Sequence, residues 1–437
     1  MTESKSIPAG LQFATLGLLF ITPAASNLVK HVGSSILLVM TLFGIYTFFK
    51  MGRISFAKKE KAVMAVFVAY FLVNLIMAMA HNAAAGIRIF KVDMDHEIRM
   101  LTFIPIYYLF IRIRPKKSFI WCGIIAGAVA SGIYALFAGI AIDFSDRVIG
   151  PYNPCLFGYF SVALSFMSLS GYHFFYKLNK KLILLPLSGF ACGLLAAFFS
   201  GTRGSVITIP LLFVIFLFQV RLLLKSINTR IVLGGAAAVF VFLLLLFPHL
   251  KLAERFQKGI DEAQYFIKNR DCVECIGKYD AHHLRMWMEA ALIIKDTPFF
   301  GVGFKGYRKI VTQRVDNGQI AAGIEIFDEP HNMYLTMWTS YGIVGLVILL
   351  AFFLTPLSVL FHCIRKEGKG WEGNFGDRDI SYCGIYLVVG YMLFSLTGAL
   401  FIRNMLISFY IIMLAAVISV NRPDDRRTLP ERTSRTP

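Results

Sequence analysis

Charge is what this sequence has least of. Only 16% of its 437 residues are charged, while 57% are hydrophobic and 14% aromatic. An ordinary water-soluble domain carries about a quarter charged residues, so that class is excluded. Acidic residues are scarcer still, with 26 Asp and Glu against 44 Lys and Arg. Several chemistries lack their residues. There is no G-x-x-x-x-G-K-[ST], so no phosphate loop for ATP, and no H-E-x-x-H for zinc. No two carboxylates are placed convincingly for glycoside hydrolysis. The carboxylate-rich stretch Asp93, Asp95, Glu97, with His96, reads as a solvated loop. No repeat of fixed period appears, and the apolar runs do not divide into two matching halves, which counts against a transporter with alternating access. The opening MTESKSIPAG has one lysine and no small-residue cleavage site, and reads as retained.

What is present is one long apolar run after another. Runs of about 17 to 25 apolar residues mark membrane-spanning helices. They place spans near 10–27, 33–50, 62–80, 97–112, 119–140, 155–175, 182–200, 205–221, 231–248, 341–363, 381–400 and 404–420. The expected fold is an all-α polytopic membrane protein of about 12 transmembrane helices, with one large helical loop. Lys and Arg crowd alternate short loops, such as Lys58, Lys59 and Lys61, Arg112, Arg114, Lys116 and Lys117, and the tail Arg422, Arg426, Arg427. The other short loops hold only Lys30, Arg88, Lys91, Arg99, Arg147, Arg203 and Arg403. Basic loops stay cytoplasmic, so both termini are expected there and the large loop outside. The expected organisation is spans one to nine over 1–250, the large loop over 251–332, three further spans over 333–421, and a cytoplasmic tail over 422–437. The net charge of +18 sits mostly at span ends, where topology and anionic membrane lipids explain it, so no nucleic-acid partner is expected.

The large loop carries its own helical signals. Leu252, Phe256, Ile260, Ala263 and Ile267 recur at helical spacing with a strongly charged opposite face. A second helix is expected from Asp280 as cap through Ile294, ended by Pro298 and Gly301, and a third around Tyr307 to Val315. Cys272 and Cys275 form a C-x-x-C, for which an outward-facing compartment favours a short disulfide. A metal site with His282 and His283 is the weaker alternative. The other five cysteines fall in or beside apolar spans and read as small packing residues.

Four places concentrate chemistry. Ser200-Gly201-Thr202-Arg203-Gly204-Ser205 is a glycine-bearing turn between spans, whose guanidinium and hydroxyls suit a phosphate. Arg285 lies at the edge of the second loop helix, where its stem can pack while its head faces a cavity. Arg147 is a third, weaker candidate. Asp328-Glu329-Pro330-His331-Asn332 closes the loop where a helix begins. A histidine there is favoured in its neutral form and can accept a proton. Asp328 and Glu329 can cap that helix, orient His331 or act as the base, and capping is the favoured reading.

These pieces together resemble the O-antigen ligase and polymerase superfamily, and within it the O-antigen ligases. The resemblance rests on the Ser-Gly-Thr-Arg-Gly-Ser turn at 200–205 and on Arg285-x-Trp287-x-x-Ala290 followed by Pro298-x-x-Gly301-Val302-Gly303. It is completed by His331-Asn332-x-Tyr334-Leu335 followed by Gly342-x-x-Gly345-Leu346. The family implies a GT-C-like glycosyltransferase of the inner membrane that needs no metal, nucleotide or other cofactor. It would move a glycan from undecaprenyl diphosphate to a sugar hydroxyl of the lipid A core on the periplasmic side. Carried over, His331 activates the acceptor hydroxyl, Arg203 and Arg285 bind the diphosphate with Arg147 as candidate third ligand, and Asn332, Tyr334, Asp328 and Glu329 support them. A protein O-oligosaccharyltransferase or a glycan polymerase would use the same donor. A transporter of lipid-linked anions would use the arginines without chemistry.

Overall fold

The computed structural model describes residues 7–88, 92–144, 146–223, 234–239, 241, 251–269, 282–367 and 376–422. Their regular structure is entirely helical. In chain order the main elements are α1 (Ala9–Leu28), α2 (Val32–Met51), α3 (Lys58–Ala84), α4 (Phe103–Ile113), α5 (Lys117–Ala141), α6 (Pro154–Leu169), α7 (Tyr172–Leu178) and α8 (Leu184–Phe199). They continue with α9 (Thr208–Leu223), α10 (Lys251–Asn269), α11 (His282–Asp296), α12 (Gly306–Asp316), α13 (Met333–Glu367), α14 (Gly376–Phe394) and α15 (Asn404–Val420). Lipid offers no partner for an open backbone, so apolar runs of this length close their hydrogen bonds internally as helices. The ends follow local chemistry. Pro154 opens α6 at a position that needs no N–H, and Asn153 Oδ1 accepts from the Leu156 N–H at 2.8 Å.

Seven described helices are long and apolar enough to cross a membrane, or eight if α6 and α7, bent by 41° at their junction, form one span. This is fewer than twelve, and three of the differences have identifiable reasons. The expected span at 231–248 falls mostly outside the described residues. The run at 97–112 is divided: a short turn and a 3-10 segment precede α4, whose 11 residues reach only about 16 Å. The 17 residues of α15 are also short, yet nearly all of them are buried. A helix apolar all round and covered by neighbours is the centre of a bundle. It packs on α2, α4 and α14. The Cys272–Cys275 pair and the Asp280 cap also lie outside the described residues.

The run expected to begin at 341 begins at Met333, because α13 passes through a kink. Tyr341 and Gly342 leave helical geometry, Gly342 with φ 65° and ψ −158°. The kink frees backbone groups that the segment after α11 takes up. Val302 and Gly303 N–H donate to the Thr339 and Ser340 carbonyls, each at 2.8 Å, and Ile343 N–H donates to the Pro298 carbonyl at 2.9 Å. The approach is so close that a Cβ on Gly342 would collide with the Phe299 carbonyl, and one on Gly301 with the Thr339 and Ser340 carbonyls. The two glycine motifs at 298–303 and 342–345 therefore meet in one backbone seam. At the other end of the bundle, buried polar groups lock helices together. His173 Nδ1 lies 3.1 Å from Asp379 between α7 and α14, and Tyr107 donates to Glu60 at 2.8 Å between α4 and α3.

Candidate active site

The α8-to-α9 turn is built before any ligand is considered. Gly201 takes φ 60°, and Arg203–Val206 adds one helical turn before α9. Thr202 donates its hydroxyl to the Pro154 carbonyl at 3.0 Å, and Ser205 donates to the Thr202 carbonyl at 2.9 Å. Both residues are buried and their hydroxyls are engaged within the fold, although Thr202 also lines the cavity described below. Arg147 straps the same turn, its Nε donating to the Ser200 carbonyl (2.8 Å) and its Nη2 to the Thr202 hydroxyl (3.0 Å). Arg203 leaves the turn toward α10. Its Nη1 donates to the Arg255 carbonyl at 3.0 Å, and its Nη2 lies 3.8 Å from Glu262.

The second half of the site comes from the strained approach to α13. His331 has φ 52°, a left-handed conformation that few non-glycine residues adopt. Glu329, 3% exposed, holds it there. One carboxylate oxygen accepts the His331 backbone N–H at 2.5 Å, and the other lies 2.6 Å from Nδ1. A carboxylate only accepts, so in the neutral imidazole this contact places the single ring proton on Nδ1 and leaves Nε2 as the acceptor. Thr336 Oγ1 lies 3.4 Å from the same carboxylate and an Arg403 nitrogen 3.9 Å away. Trp287 Nε1 pins the intervening Pro330 carbonyl at 3.0 Å.

The cap of α13 is Asn332. Its Oδ1 accepts from the Tyr334 and Leu335 N–H groups at 3.0 and 3.1 Å, and its Nδ2 donates to the Leu396 carbonyl. The favoured expectation that Asp328 or Glu329 caps the helix is thus corrected: a side chain at 332 is in register with the free N–H groups. Glu329 instead orients His331, and Asp328 pairs at 3.0 Å with Arg308 on α12. Tyr334 donates to the Met392 carbonyl, tying α13 to α14.

Arg203, Arg147, Glu329 and His331 line one cavity of about 560 Å³ together with Arg255, Glu262, His283, Leu284, Trp287 and Arg403. Arg285 is not in its wall. On α11 the cavity-facing residues are His283, Leu284 and Trp287, whereas Arg285 is buried and donates to the Ala321 and Ala322 carbonyls, the latter at 3.0 Å. Its helix neighbours Met286 and Ala290 belong to the buried cluster that includes Tyr307 and Ile324.

Four arginines against two carboxylates make the cavity a basic one. Three contributors were not singled out from the sequence. Arg255 belonged to the charged face of an amphipathic helix, Arg403 to a short loop, and His283 only to an alternative metal site. Desolvation in the wall, followed by neighbouring His331 and Arg203, pushes the His283 imidazole down to about 4. Its ring centre lies 5.6 Å from that of His331. Among the described residues no three His, Cys, Asp or Glu side chains converge as a metal would require.

Comparison with known proteins bears on a segment that supplies part of this cavity. The family model of the O-antigen ligases matches residues 188–350, a segment containing Arg203, Arg255, Arg285, Glu329 and His331. An uncharacterized protein of Haemophilus influenzae is 25% identical over 372 residues, which cover 84% of this chain and 88% of that protein.

Proposed function

We propose, from the match of residues 188–350 to the O-antigen ligase family model, that this membrane protein transfers a glycan from undecaprenyl diphosphate to a sugar hydroxyl of the lipid A core. The observation that carries the reading is the oriented imidazole of His331, held by Glu329 in the same basic cavity as Arg203. The bundle sits in the inner membrane, with the segment 251–332 on the periplasmic face, where both lipid-anchored substrates reach the cavity with their tails in the bilayer.

His331 Nε2 takes the proton of the acceptor hydroxyl as its oxygen attacks the anomeric carbon. The bond from that carbon to the diphosphate oxygen breaks on the opposite face, which inverts the centre. Glu329 keeps Nδ1–H in place and stabilises the imidazolium as it forms, as the carboxylate of a catalytic triad does. Arg203 stabilises the charge on the departing undecaprenyl diphosphate, and a guanidinium does so without a metal. Arg147 holds the Arg203 turn in shape from within the cavity wall, while Arg285 acts at one remove by holding the 321–322 backbone.

Purified protein incubated with undecaprenyl-diphosphate-linked glycan and a truncated lipid A core tests this reading. A glycan covalently joined to the core is expected, and His331→Ala should lower its rate by about 10²–10⁴-fold while the protein remains folded in detergent. Near-normal transfer by that variant would remove His331 from the mechanism. Product on a polypeptide or on a second carrier-linked glycan would move the acceptor to the oligosaccharyltransferase or polymerase reading. Carrier translocation without covalent product would make the protein a transporter.

A further inference from the structure

Arg255 projects from α10 into the cavity, and its Nε is buried with no hydrogen-bond partner among the described residues. The two carboxylates of the cavity wall are otherwise engaged. Glu262 lies 3.8 Å from Arg203 and 3.7 Å from Lys258, and Glu329 holds His331 with Arg403 at 3.9 Å. The Arg255 carbonyl accepts from Arg203 Nη1, so the two arginines are fixed to one step of backbone. Burial first, and then repulsion from Arg147 and Arg203, hold the Arg255 guanidinium below its ordinary value, with Cys155 and Asp146 opposing more weakly. A buried donor without a partner is costly, and in a native structure it calls for a reason. An anion placed between these guanidiniums would supply the acceptor and relieve the repulsion.

We infer that Arg255 is a second diphosphate-binding arginine, acting beside Arg203 where Arg285 was expected, and that α10 is therefore part of the donor site. The inference rests on the carrier-diphosphate reading above. Phe256 and Ile260 on the same helix also line the cavity and give the first isoprene units an apolar path from the phosphates.

The test is direct binding to the detergent-solubilised full chain, with geranylgeranyl diphosphate and inorganic pyrophosphate as separate probes. Arg255→Gln should weaken geranylgeranyl diphosphate by about tenfold to a hundredfold, the scale of a charge-assisted contact. Arg255→Lys should recover part of the loss through its charge, and pyrophosphate should weaken in parallel. Without ligand, Arg255→Gln should melt no lower than the wild type, because the guanidinium it removes has no partner for Nε and sits among like charges. Unchanged affinity in both variants, or a loss for the lipid probe with pyrophosphate unaffected, overturns the assignment. A lower melting temperature together with unchanged affinity would make the role structural and also overturn it. Failure of the wild-type protein to bind geranylgeranyl diphosphate would strike the donor reading itself, whatever the variants do.

Discussion

At the scale of single residues, the site depends on one short contact. Glu329 and His331 are two positions apart, and the left-handed backbone at His331 turns its ring back onto the carboxylate. In the proposed mechanism Glu329 is a positioning residue: it fixes which nitrogen carries the proton and stays charged as the ring becomes cationic. Glu329→Gln keeps an acceptor but loses the charge, so kcat should fall about tenfold to a hundredfold while the donor KM is little changed. Glu329→Asp should recover part of the rate. Steady-state transfer kinetics check this, and a rise in donor KM with kcat unchanged would show that Glu329 serves binding. Of the residues named from sequence, His331, Arg203 and Arg147 were legible as candidates, since a basic turn and a helix-start histidine are local signals, but that they line one cavity is visible only in the packed helices. Arg285 was not. A residue at the edge of an apolar stripe can turn to either side, and only packing against 320–324 decides which. Arg255 was hidden by the opposite ambiguity, because a charged helical face looks the same whether it meets water or a ligand.

At the scale of elements, the helices themselves were readable from apolar runs and periodicity, and their breaks were not. A Gly-x-x-Gly inside an apolar run gives no warning that the chain leaves helical geometry at Tyr341 and Gly342, since the 298–303 segment that makes this possible lies forty residues earlier. Gly342 sits in a region of backbone space used almost only by glycine, against the Phe299 carbonyl. Gly342→Ala should cost about 1–3 kcal/mol from the backbone alone, with the collision added, and lower the melting temperature in detergent by several degrees. An unchanged melting curve would mean that the bend does not need glycine.

At the scale of the whole molecule, a hydrophobic bundle gathers its polar residues at the ends, and the cavity end carries a surplus of positive charge. That surplus has a consequence for stability. With His283 pushed down to about 4 by desolvation and by its neighbours His331 and Arg203, the folded protein refuses a proton that the unfolded chain accepts near 6.5. The stability associated with neutral His283 is full above about pH 6.5 and declines as pH falls toward 4. Melting temperatures across pH 7.5 to 4.5 should therefore drop slightly further for the wild type than for His283→Gln, the difference being small because the ring stays open to solvent. Parallel curves would show that His283 takes no part. The short central helix α15 also belongs to this scale. At 17 residues it stands at the lower limit of a span, and its burial over nearly its whole length, visible only in the assembled bundle, places it among other helices.

The seam between 298–303 and the bend in α13 ties the fates of two distant stretches of chain. Each lends the other hydrogen bonds that neither could find alone, so a descendant that straightened α13 would orphan the loop, and one that rebuilt the loop would leave the bend unsupported. Both would also loosen the Pro330–Trp287 tether just above. Drift at either stretch is expected to be coupled to the other, and a chimera that takes the two from different relatives should fold poorly even though no residue that touches substrate has been altered.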